Sequence, residues 1–529
     1  MSEVFERITG FIHPVKGLAY SDIPKDIIKR NKWQVMSMIA AIIYGRESPY
    51  FKWIMKRLYP EDGKNPMALA CALSALSMLY DYDDFMFAAH SGHSSVITPL
   101  AFSGEFEING KDFITLQTIG NEIGGRLGAS IFLGTHNGQM WMPVHQIASA
   151  SQLARLRSAG LKDDDSSNLI KSCITLSLAY PIYGMMDTFF GSAAKCMTSC
   201  NPLGLGIKSG LTGEAGMMGA DPFEENSSFY QAFSYLPLLT VWESLGSDFF
   251  SRTLSFKKFP GCAYIAASVQ ACAEIYAQMK SADSYADGID SVEIYCNILS
   301  KKMDDLSRPY LKGKDSTLTT LNFSLPINCS LMLNDGFLRP ESFSRTSLSR
   351  DVIWLLAEKT RIFHDPENSL QMLRHSSPIP NSTSLFLKHP LRLLPFYKKY
   401  GGLKDLLSMP ADIRRSRALK GAFPESRPII TDDGEYRFYN GATVVVRVKE
   451  GSDICRHVGM PEGFAGTPDD VVYELLSDKL NHAAGYSEAS PILDAINNLE
   501  HLDSADVQNL LKQVKAMLKK PSGPDFFQP

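Results

Sequence analysis

The segment DIPKDIIKRNKWQVMSMIAAIIYG, residues 22–45, sets the fold class of the chain. Asp22 is a predicted N-cap, Pro24 suits a first helical turn, and Gly45 suits a helix end. Apolar residues recur every three or four positions between them, which predicts a helix with a buried face. The apolar run inside it is well short of the roughly 20 residues that a membrane span requires. We therefore expect a core helix of a helical domain.

More helical segments follow along the chain. Residues 65–85 are rich in Ala, Leu and Met, and residues 109–132 and 145–160 carry small residues that allow close helix packing. The tail returns to amphipathic helices at residues 469–485 and 504–520. These patterns predict a mainly α protein.

The middle of the chain has a different pattern. GIDSVEIYCN (288–297) alternates like a strand, and EYRFYNGATVVVRVKEG (435–451) predicts a hairpin with its turn at residues 440–441. Residues 267–280 and 349–363 between them have helical spacing. Strands mixed with helices in this way predict a smaller α+β unit.

These changes of pattern predict three stretches of domain structure. Residues 1–252 form the first part of a helical domain, residues 253–455 form the α+β unit, and residues 456–529 return to the helical domain. An irregular insertion is predicted at about 366–432, which is rich in Pro, Ser and basic residues.

Composition excludes several classes of function. The chain has 529 residues, 44% of them hydrophobic and 21% charged, as in an ordinary globular protein of more than one core. The net charge of −4 and the lack of a basic run predict no nucleic-acid partner. No signal peptide or spanning segment is visible, so we expect no membrane partner and a cytoplasmic location, with an organelle left open.

The stretch DYDDFMFAAHSGHSS, residues 81–95, concentrates the polar groups that can carry chemistry. It permits three interpretations: a metal site, an acid/base site, or a polar loop between helices. Its carboxylates and histidines lack a complete ligand shell, so we predict no metal. The groups in question are Asp81, Asp83, Asp84, His90 and His93.

An acid/base role needs specific pairings within this stretch. Asp81 and Asp84 are one helical turn apart, so in a helix they would point to one side, and either could orient a histidine. An unperturbed histidine has a pKa near neutrality, so His93 is the candidate for proton transfer. His90 would share a face with His93 and is predicted to contact substrate or to pack in the loop.

Four segments in order resemble the MmgE/PrpD family, which includes 2-methylcitrate dehydratase, cis-aconitate decarboxylase and iminodisuccinate epimerase. Residues 81–95 are similar to its D-aromatic-D/N-D … H-P-S element. FEINGKDFITLQTIGNEIGGRLG (106–128) is similar to G-x-D-L-L-x-A-x-x-x-G-x-E-V-x-x-R. FKKFPGC (256–262) and NFSLPINCSLMLNDG (322–336) resemble K-x-[FY]-P and F-S-x-x-Y-x-x-A-x-x-L-x-D-G.

The resemblance implies both architecture and chemistry. It implies a large all-α domain formed by both termini, a smaller α+β lid domain, a homodimer, and catalysis without a metal or organic cofactor. Lys195 and Lys257 would hold the carboxylates of an anionic substrate. The catalytic residues that it implies are Asp81, Asp84, His93, Lys195 and Lys257.

The chain departs from the family pattern at three pocket positions. Phe85 stands where the family has Thr, Ile327 replaces a Tyr, and Trp141 falls near the second histidine, with His136 and His145 close by. These changes predict a more apolar substrate pocket. The predicted substrate-binding residues are Phe85, His90, Trp141, His145, Lys258 and Ile327.

The predicted function is a lyase of dehydratase or decarboxylase type that acts next to a carboxylate, on a modified or more apolar carboxylic acid. An isomerase, epimerase or cyclase of a specialised metabolite would use the same proton transfers. A non-catalytic ligand-binding homologue is a third hypothesis, which the set of Asp, His and Lys residues disfavours.

Overall fold

The computed structural model describes residues 14–59, 65–134, 142–213, 217–281, 288–378, 388–400, 403–426 and 435–520. It is mainly helical with two small sheets, which confirms the predicted fold class. Within these ranges no helix is both long and apolar enough to cross a membrane.

The first half of the chain builds a helical domain around one two-stranded sheet. Strands β1 (Asp84–Phe85) and β2 (Ser255–Phe256) pair antiparallel. The helices are α1 (Lys25–Gly45), α2 (Phe51–Leu58), α3 (Pro66–Met78), α4 (Gly92–Ser95), α5 (Ile97–Ala101), α6 (Gly110–Ser130), α7 (Met142–Arg157), α8 (Asp163–Ala179), α9 (Met186–Gly191), α10 (Met197–Thr212) and α11 (Ser228–Phe233).

The middle of the chain forms a mixed sheet covered by helices. Its strands are β3 (Ile289–Cys296), β4 (Thr360–His364), β5 (Ala442–Val448) and β6 (Ile454–Val458). Its helices are α12 (Ala266–Ser281), α13 (Ile298–Ser307), α14 (Leu318–Leu321), α15 (Leu325–Asp335), α16 (Arg345–Ser349), α17 (Asp351–Glu358), α18 (Pro366–His375), α19 (Leu394–Tyr400) and α20 (Leu403–Ala422).

The mixed sheet has the order β4-β3-β5-β6. β3 and β4 run parallel, so that Ile294 lies opposite Ile362, whereas β5 pairs antiparallel with both β3 and β6. Helix α12 packs against β5 and β6. This arrangement is the α+β unit that the alternating segments predict.

The last helices return to the helical domain. They are α21 (Asp469–Ala484), α22 (Tyr486–Asn497) and α23 (Ser504–Leu518), and all three pack on α1. Lys32 donates to the carbonyl of Asn497 at 2.7 Å, and Arg46 donates to the carbonyl of Met517 at 3.0 Å. The two ends of the described chain therefore share one helical core, as the family resemblance implies.

The start of α1 differs from the prediction. The helix begins at Lys25, and its N-cap is Pro24, whose ψ of 147° is extended. Asp22 instead ends a short 3-10 helix and accepts a hydrogen bond from the Ala19 N–H at 2.9 Å. The Asp22 carboxylate is therefore used in its own turn, and its prediction as the N-cap of α1 is wrong.

The predicted hairpin turn at residues 440–441 is also wrong, because the turn lies between β5 and β6, at residues 449–453. Asn440 is buried rather than exposed in a turn. Its side chain accepts from Asn297 at 2.6 Å and donates to the carbonyl of Ala263 at 3.2 Å. It thus ties the start of β5 to the helical layer.

Two further expectations for this unit fail. The helix predicted at 349–363 ends at Glu358, because Thr360–His364 pairs with β3 as β4. The segment predicted to be an irregular insertion, about 366–432, contains helices α18, α19 and α20 in its described part. The domain boundaries at 252 and 455 remain predictions.

Candidate active site

The loop after α3 shapes the candidate site. The helix ends at Met78, Asp81 has a left-handed backbone with φ of +52°, and Asp84 enters β1 opposite Phe256. Helical spacing therefore does not apply here. The prediction that Asp81 and Asp84 point to the same side is wrong, since each contacts different partners.

Asp83 is the centre of the cluster. Its Oδ2 accepts from Nδ1 of His90 at 2.6 Å and from Nε2 of His93 at 2.9 Å, and its Oδ1 accepts from Lys257 at 2.6 Å. The two imidazole rings stack with centroids 6.4 Å apart. The carboxylate that orients His93 is therefore Asp83, where the sequence predicted Asp81 or Asp84.

Two buried lysines hold Asp81. The ammonium of Lys257 donates to the Asp81 carbonyl at 2.8 Å and to its Oδ1 at 3.0 Å. Lys195 donates to Oδ2 of Asp81 at 2.6 Å and lies 4.4 Å from the ring centroid of Phe323. Three predicted residues, Asp81, Lys195 and Lys257, thus meet at one point.

These contacts fix the charges of the cluster. Burial alone would raise the pKa of Asp81, but Lys195 and Lys257 outweigh it and lower the pKa to about 2. Burial opposes ionisation of Asp83 too, yet Lys257 and His90 bring its pKa well below the usual value. Both carboxylates are therefore ionised at neutral pH and are balanced by the two ammonium groups.

Asp84 has a different environment. Its Oδ2 accepts from Gln34 at 2.7 Å, whereas Oδ1 has no hydrogen-bond partner among the described residues. A Cβ at Gly92 would lie 2.1 Å from that oxygen, so this close approach requires glycine. Burial, and then the charge of Asp83, raises the pKa of Asp84 to about 6. Asp84 is a carboxyl group that can hold a proton.

The hydrogen bonds of His93 hold its ring at both nitrogens. Its Nδ1 lies 2.7 Å from the Ser77 hydroxyl, and its Nε2 lies 2.9 Å from Oδ2 of Asp83. The Ser77 hydroxyl also contacts the carbonyl of Ser74 at 2.9 Å. His93 is therefore fixed between a serine of α3 and the central aspartate.

His145 is a second buried histidine beside the cluster. Its Nδ1 is 3.2 Å from the hydroxyl of Ser94, which also contacts the carbonyl of Ser91 at 3.1 Å. Nε2 is buried and has no hydrogen-bond partner in the described chain. Burial, and then His93, lowers the pKa of His145 well below its usual value, so the ring is neutral at neutral pH. Its centroid lies 5.8 Å from that of His93.

Phe85 and Lys258 take different places beside the cluster. Phe85 packs edge-on against Phe438 and Phe464, and its ring centroid is 6.3 Å from that of His90. Lys258 pairs with Glu462 at 2.6 Å, and both side chains are more than a third exposed. Phe85 thus forms an apolar wall beside the histidines, whereas Lys258 points towards solvent.

The remaining predicted residues lie apart from the cluster or outside the described part of the chain. Ile327 lines a separate groove of about 590 Å³ with Trp354 and Phe363, and none of the cluster residues lines it. Trp141 and His136 lie outside the described residues. A role for these positions in substrate binding remains a prediction.

Sequence reasoning missed three residues around the loop. Asp83 was hidden by the helical spacing assumed for its neighbours. Ser77 follows Ser74 by three positions in a helix of Ala, Leu and Met, and both serines are buried. Such a pair is a usable signal for a polar contact. Lys479, which contacts the loop from α21, has no signal in sequence because lysine is common on amphipathic helices.

One group of side chains could be considered for a metal. Donor atoms of Asp83, His90 and His93 all lie within 4.8 Å of one another. However, the other oxygen of Asp83 already accepts from the ammonium of Lys257, and Nδ1 of His93 contacts Ser77. A cation placed beside a buried ammonium is repelled, so this donor set fits a hydrogen-bonded cluster better than a metal.

We therefore expect that dialysis against a strong chelator leaves turnover and melting temperature unchanged. The physical reason is that the ion pairs and hydrogen bonds among Asp83, His90, His93 and Lys257 complete the cluster. Activity assays and thermal unfolding before and after dialysis measure this. Loss of activity that zinc or iron restores would make the cluster a metal site.

The protein is mainly helical, and its buried cluster of aspartates, histidines and lysines lies beside an α+β unit. This is the architecture that the resemblance of the four sequence segments implies. Residues 7–237 match the MmgE/PrpD N-terminal domain, and residues 259–385 match the MmgE/PrpD C-terminal domain. The chain belongs to the MmgE/PrpD family.

Relatives with assigned activities are distant. The chain is 21% identical over 392 residues to a cis-aconitate decarboxylase of Aspergillus terreus, a match that covers 67% of this chain and 78% of that protein. A second A. terreus cis-aconitate decarboxylase is 25% identical over 222 residues, which are 38% of this chain and 43% of that protein.

A third relative is the cis-aconitate decarboxylase-like protein oryM of Aspergillus oryzae. It is 25% identical over 183 residues, which are 30% of this chain and 37% of that protein. Two of the three matches thus span less than half of the relative. Together with the family membership, these relatives support a lyase of dehydratase or decarboxylase type in general terms.

Proposed function

We propose that this chain is a lyase that breaks a C–O or C–C bond next to a carboxylate of its substrate by proton transfer, without a cofactor. The observation that carries the proposal is a pair of buried histidines: His93, held by Asp83, has its ring centroid 5.8 Å from that of His145, whose Nε2 has no partner in the described chain. Dehydration needs one group that takes a proton and one that gives a proton. Family membership supports the same reaction class.

The two histidines have complementary tasks in this proposal. In a dehydration, His145 takes the proton from the carbon next to the substrate carboxylate, and His93 donates a proton to the leaving hydroxyl. In a decarboxylation, CO₂ leaves and His93 donates a proton to the resulting carbanion. Asp83 keeps the His93 ring in place throughout. This assigns the base to His145, which the sequence predicted only as a substrate contact.

The substrate carboxylate needs a cation, and the geometry favours Lys195. All three hydrogens of the Lys257 ammonium are used, on the carbonyl and carboxylate of Asp81 and on Asp83. Lys195 makes one ion pair, with Asp81, and otherwise faces aromatic rings. Lys195 can therefore hold an oxyanion, while Lys257 holds the two aspartates.

The proposed substrate is a carboxylic acid with an apolar part. Phe85 supports this because it stands where the family has Thr and forms an apolar wall with Phe438 and Phe464, whose ring centroids lie 5.6 and 5.0 Å from its own. A polar substrate atom buried there without a partner would cost roughly 1–3 kcal/mol. The homodimer that the resemblance implies and the cytoplasmic location that the sequence predicts remain expectations.

The proposal predicts that His145→Asn loses at least about 10²-fold in dehydration turnover, the scale of acid/base catalysis. The Asn side chain can still contact Ser94, but no imidazole nitrogen remains to take a proton. Cis-aconitate and a series of more apolar carboxylic acids are incubated with the enzyme in D₂O. Mass spectrometry follows deuterium at carbon in the product and in the recovered substrate.

Decarboxylation exchanges CO₂ for a proton, so its product must carry a solvent deuterium at carbon. Dehydration removes a proton, so exchange into recovered substrate and an isotope effect with α-deuterated substrate report on it instead. His145→Asn should slow this exchange and the dehydration. An acid that binds tightly but returns unchanged and unlabelled would favour the ligand-binding hypothesis. Deuterium that enters the substrate at carbon without loss of water or CO₂ would favour an isomerase or epimerase.

A further inference from the structure

A lysine from the C-terminal helices reaches the carboxylate loop. Lys479 lies on α21 and is only 3% exposed. Its ammonium donates to the hydroxyl of Ser37 on α1, at 3.0 Å, and to the carbonyl of Tyr82. It also lies 4.0 Å from the ring centroid of Tyr82. Lys479 thus contacts both the carbonyl and the ring of Tyr82.

The environment of Lys479 is unusual for a buried cation. Among the described residues, no carboxylate lies within ion-pair distance of its ammonium, in contrast to Lys195 and Lys257. Burial lowers its pKa to about 7; Asp83 and Asp84 oppose this decrease, and Lys257 adds to it. A buried lysine with only neutral acceptors is costly for stability. A functional role would explain why such a cost is tolerated.

The carbonyl that Lys479 holds has a specific structural effect. A peptide unit is planar, so the Tyr82 carbonyl and the Asp83 N–H rotate together. Fixing that plane places the N and Cα atoms of Asp83, and so the point from which its side chain leaves the backbone. The same residue, Tyr82, is anchored at its other end, where its hydroxyl donates to the carbonyl of Lys258 at 2.8 Å.

We propose that Lys479 is a positioning residue of the active site, which holds the Tyr82–Asp83 peptide plane and so aims Asp83 at His90 and His93. It rests on the proposed function, because it assigns to the C-terminal helices a part in that site. Residue 479 lies beyond the region that matches the family domains, which ends at 385. The C-terminal helices thus join the segments that carry His145, Lys195 and Lys257 as a fourth chain segment around the loop.

The test variant is Lys479→Met, which keeps an unbranched side chain and removes the donor. Turnover should fall by about 10- to 100-fold, the scale of a misplaced catalytic group, with a much smaller change in KM. The matched control is Lys515→Met on α23. Lys515 donates to the Tyr59 hydroxyl at 2.9 Å and lies 5.3 Å from its ring, so the control removes similar contacts far from the loop.

A second measurement does not depend on the substrate. Histidine labelled with ¹³C at Cε1 reports on His90 and His93 by NMR, with signals assigned through His90→Gln and His93→Gln. Both signals should move in Lys479→Met and stay in place in Lys515→Met. A folded Lys479→Met with unchanged signals and unchanged turnover would overturn the proposal.

The two measurements separate failure of this inference from failure of the proposed function. If the histidine signals move but no acid is turned over by the wild type, the positioning role stands and the proposed reaction fails. If Lys479→Met does not fold, Lys479→Gln takes its place. The Gln amide keeps a polar group, but it ends one bond short of the position of the ammonium and so cannot hold the Tyr82 carbonyl in the same place. The same signal changes are expected, and unchanged signals there would overturn the proposal too.

Discussion

Asp83→Asn is expected to lower turnover by about 10³-fold in a protein that still folds, the upper range of acid/base and electrostatic losses. Asp83 accepts from His90 and His93 with one oxygen and from Lys257 with the other. Asn can keep one acceptor, but its NH₂ group would face N–H donors. His93 would then lose both its orientation and its negatively charged partner.

The measurement is kcat and KM of the purified variant, with circular dichroism to verify the fold. Asp305→Asn is the matched control, because Asp305 pairs with Lys301 at 2.5 Å on the surface of α13. The same chemical change there should leave turnover unaltered. Near-normal turnover in a folded Asp83→Asn variant would remove Asp83 from the centre of the site.

Lys257→Met is expected to cost about 3–5 kcal/mol of the free energy of unfolding, the range for removing one partner of a buried ion pair. Lys257 is 1% exposed and bridges the carboxylates of Asp81 and Asp83. Without its ammonium, two buried negative charges would share Lys195 and the histidines. Turnover should fall as well, because the carboxylates that orient the site would repel each other.

The cost should depend on pH in a defined direction. In the wild type, the lowered pKa of Asp81, about 2, and of Asp83 contributes stability above the ordinary carboxyl pKa. That contribution is lost as pH falls through the folded-state values. In Lys257→Met both pKa values should rise, so the variant should regain stability relative to the wild type as the pH falls from neutral to about 5.

Urea unfolding at the two pH values measures the difference. Lys301→Met serves as control, since its pair with Asp305 is about a quarter exposed and should contribute less than about 1 kcal/mol. A deficit of the same size in both variants, or one that does not depend on pH, would contradict the ion-pair account of Lys257.

The helical part of the fold could be predicted because its signals are local. The apolar spacing of residues 22–45 reflects one helix, and only its first residues differ, where Asp22 and Pro24 compete to start it. The hairpin turn failed for a non-local reason. Asparagine is a residue type that turns prefer. The side chain of Asn440 instead makes tertiary hydrogen bonds to Asn297 and Ala263.

The residues of the site could be predicted better than their partners. Sequence and resemblance together brought out Asp81, His93, Lys195 and Lys257, and the structure places all four in one cluster. They could not assign Asp83 to the histidines, because the left-handed Asp81 changes the direction of the chain. The contacts of His93 with Ser77 and of His145 with Ser94 are visible only in three dimensions.

The three lysines that hold residues 81–83 have a consequence for synthesis of the protein. Lys195, Lys257 and Lys479 follow the loop atoms they bind by 114, 176 and 397 positions. During translation the loop leaves the ribosome long before these lysines are made, so its aspartates stay hydrated and have no ammonium partner. Contacts of such long sequence separation form late in folding. The acidic loop should therefore reach its final shape only when nearly the whole chain has been made.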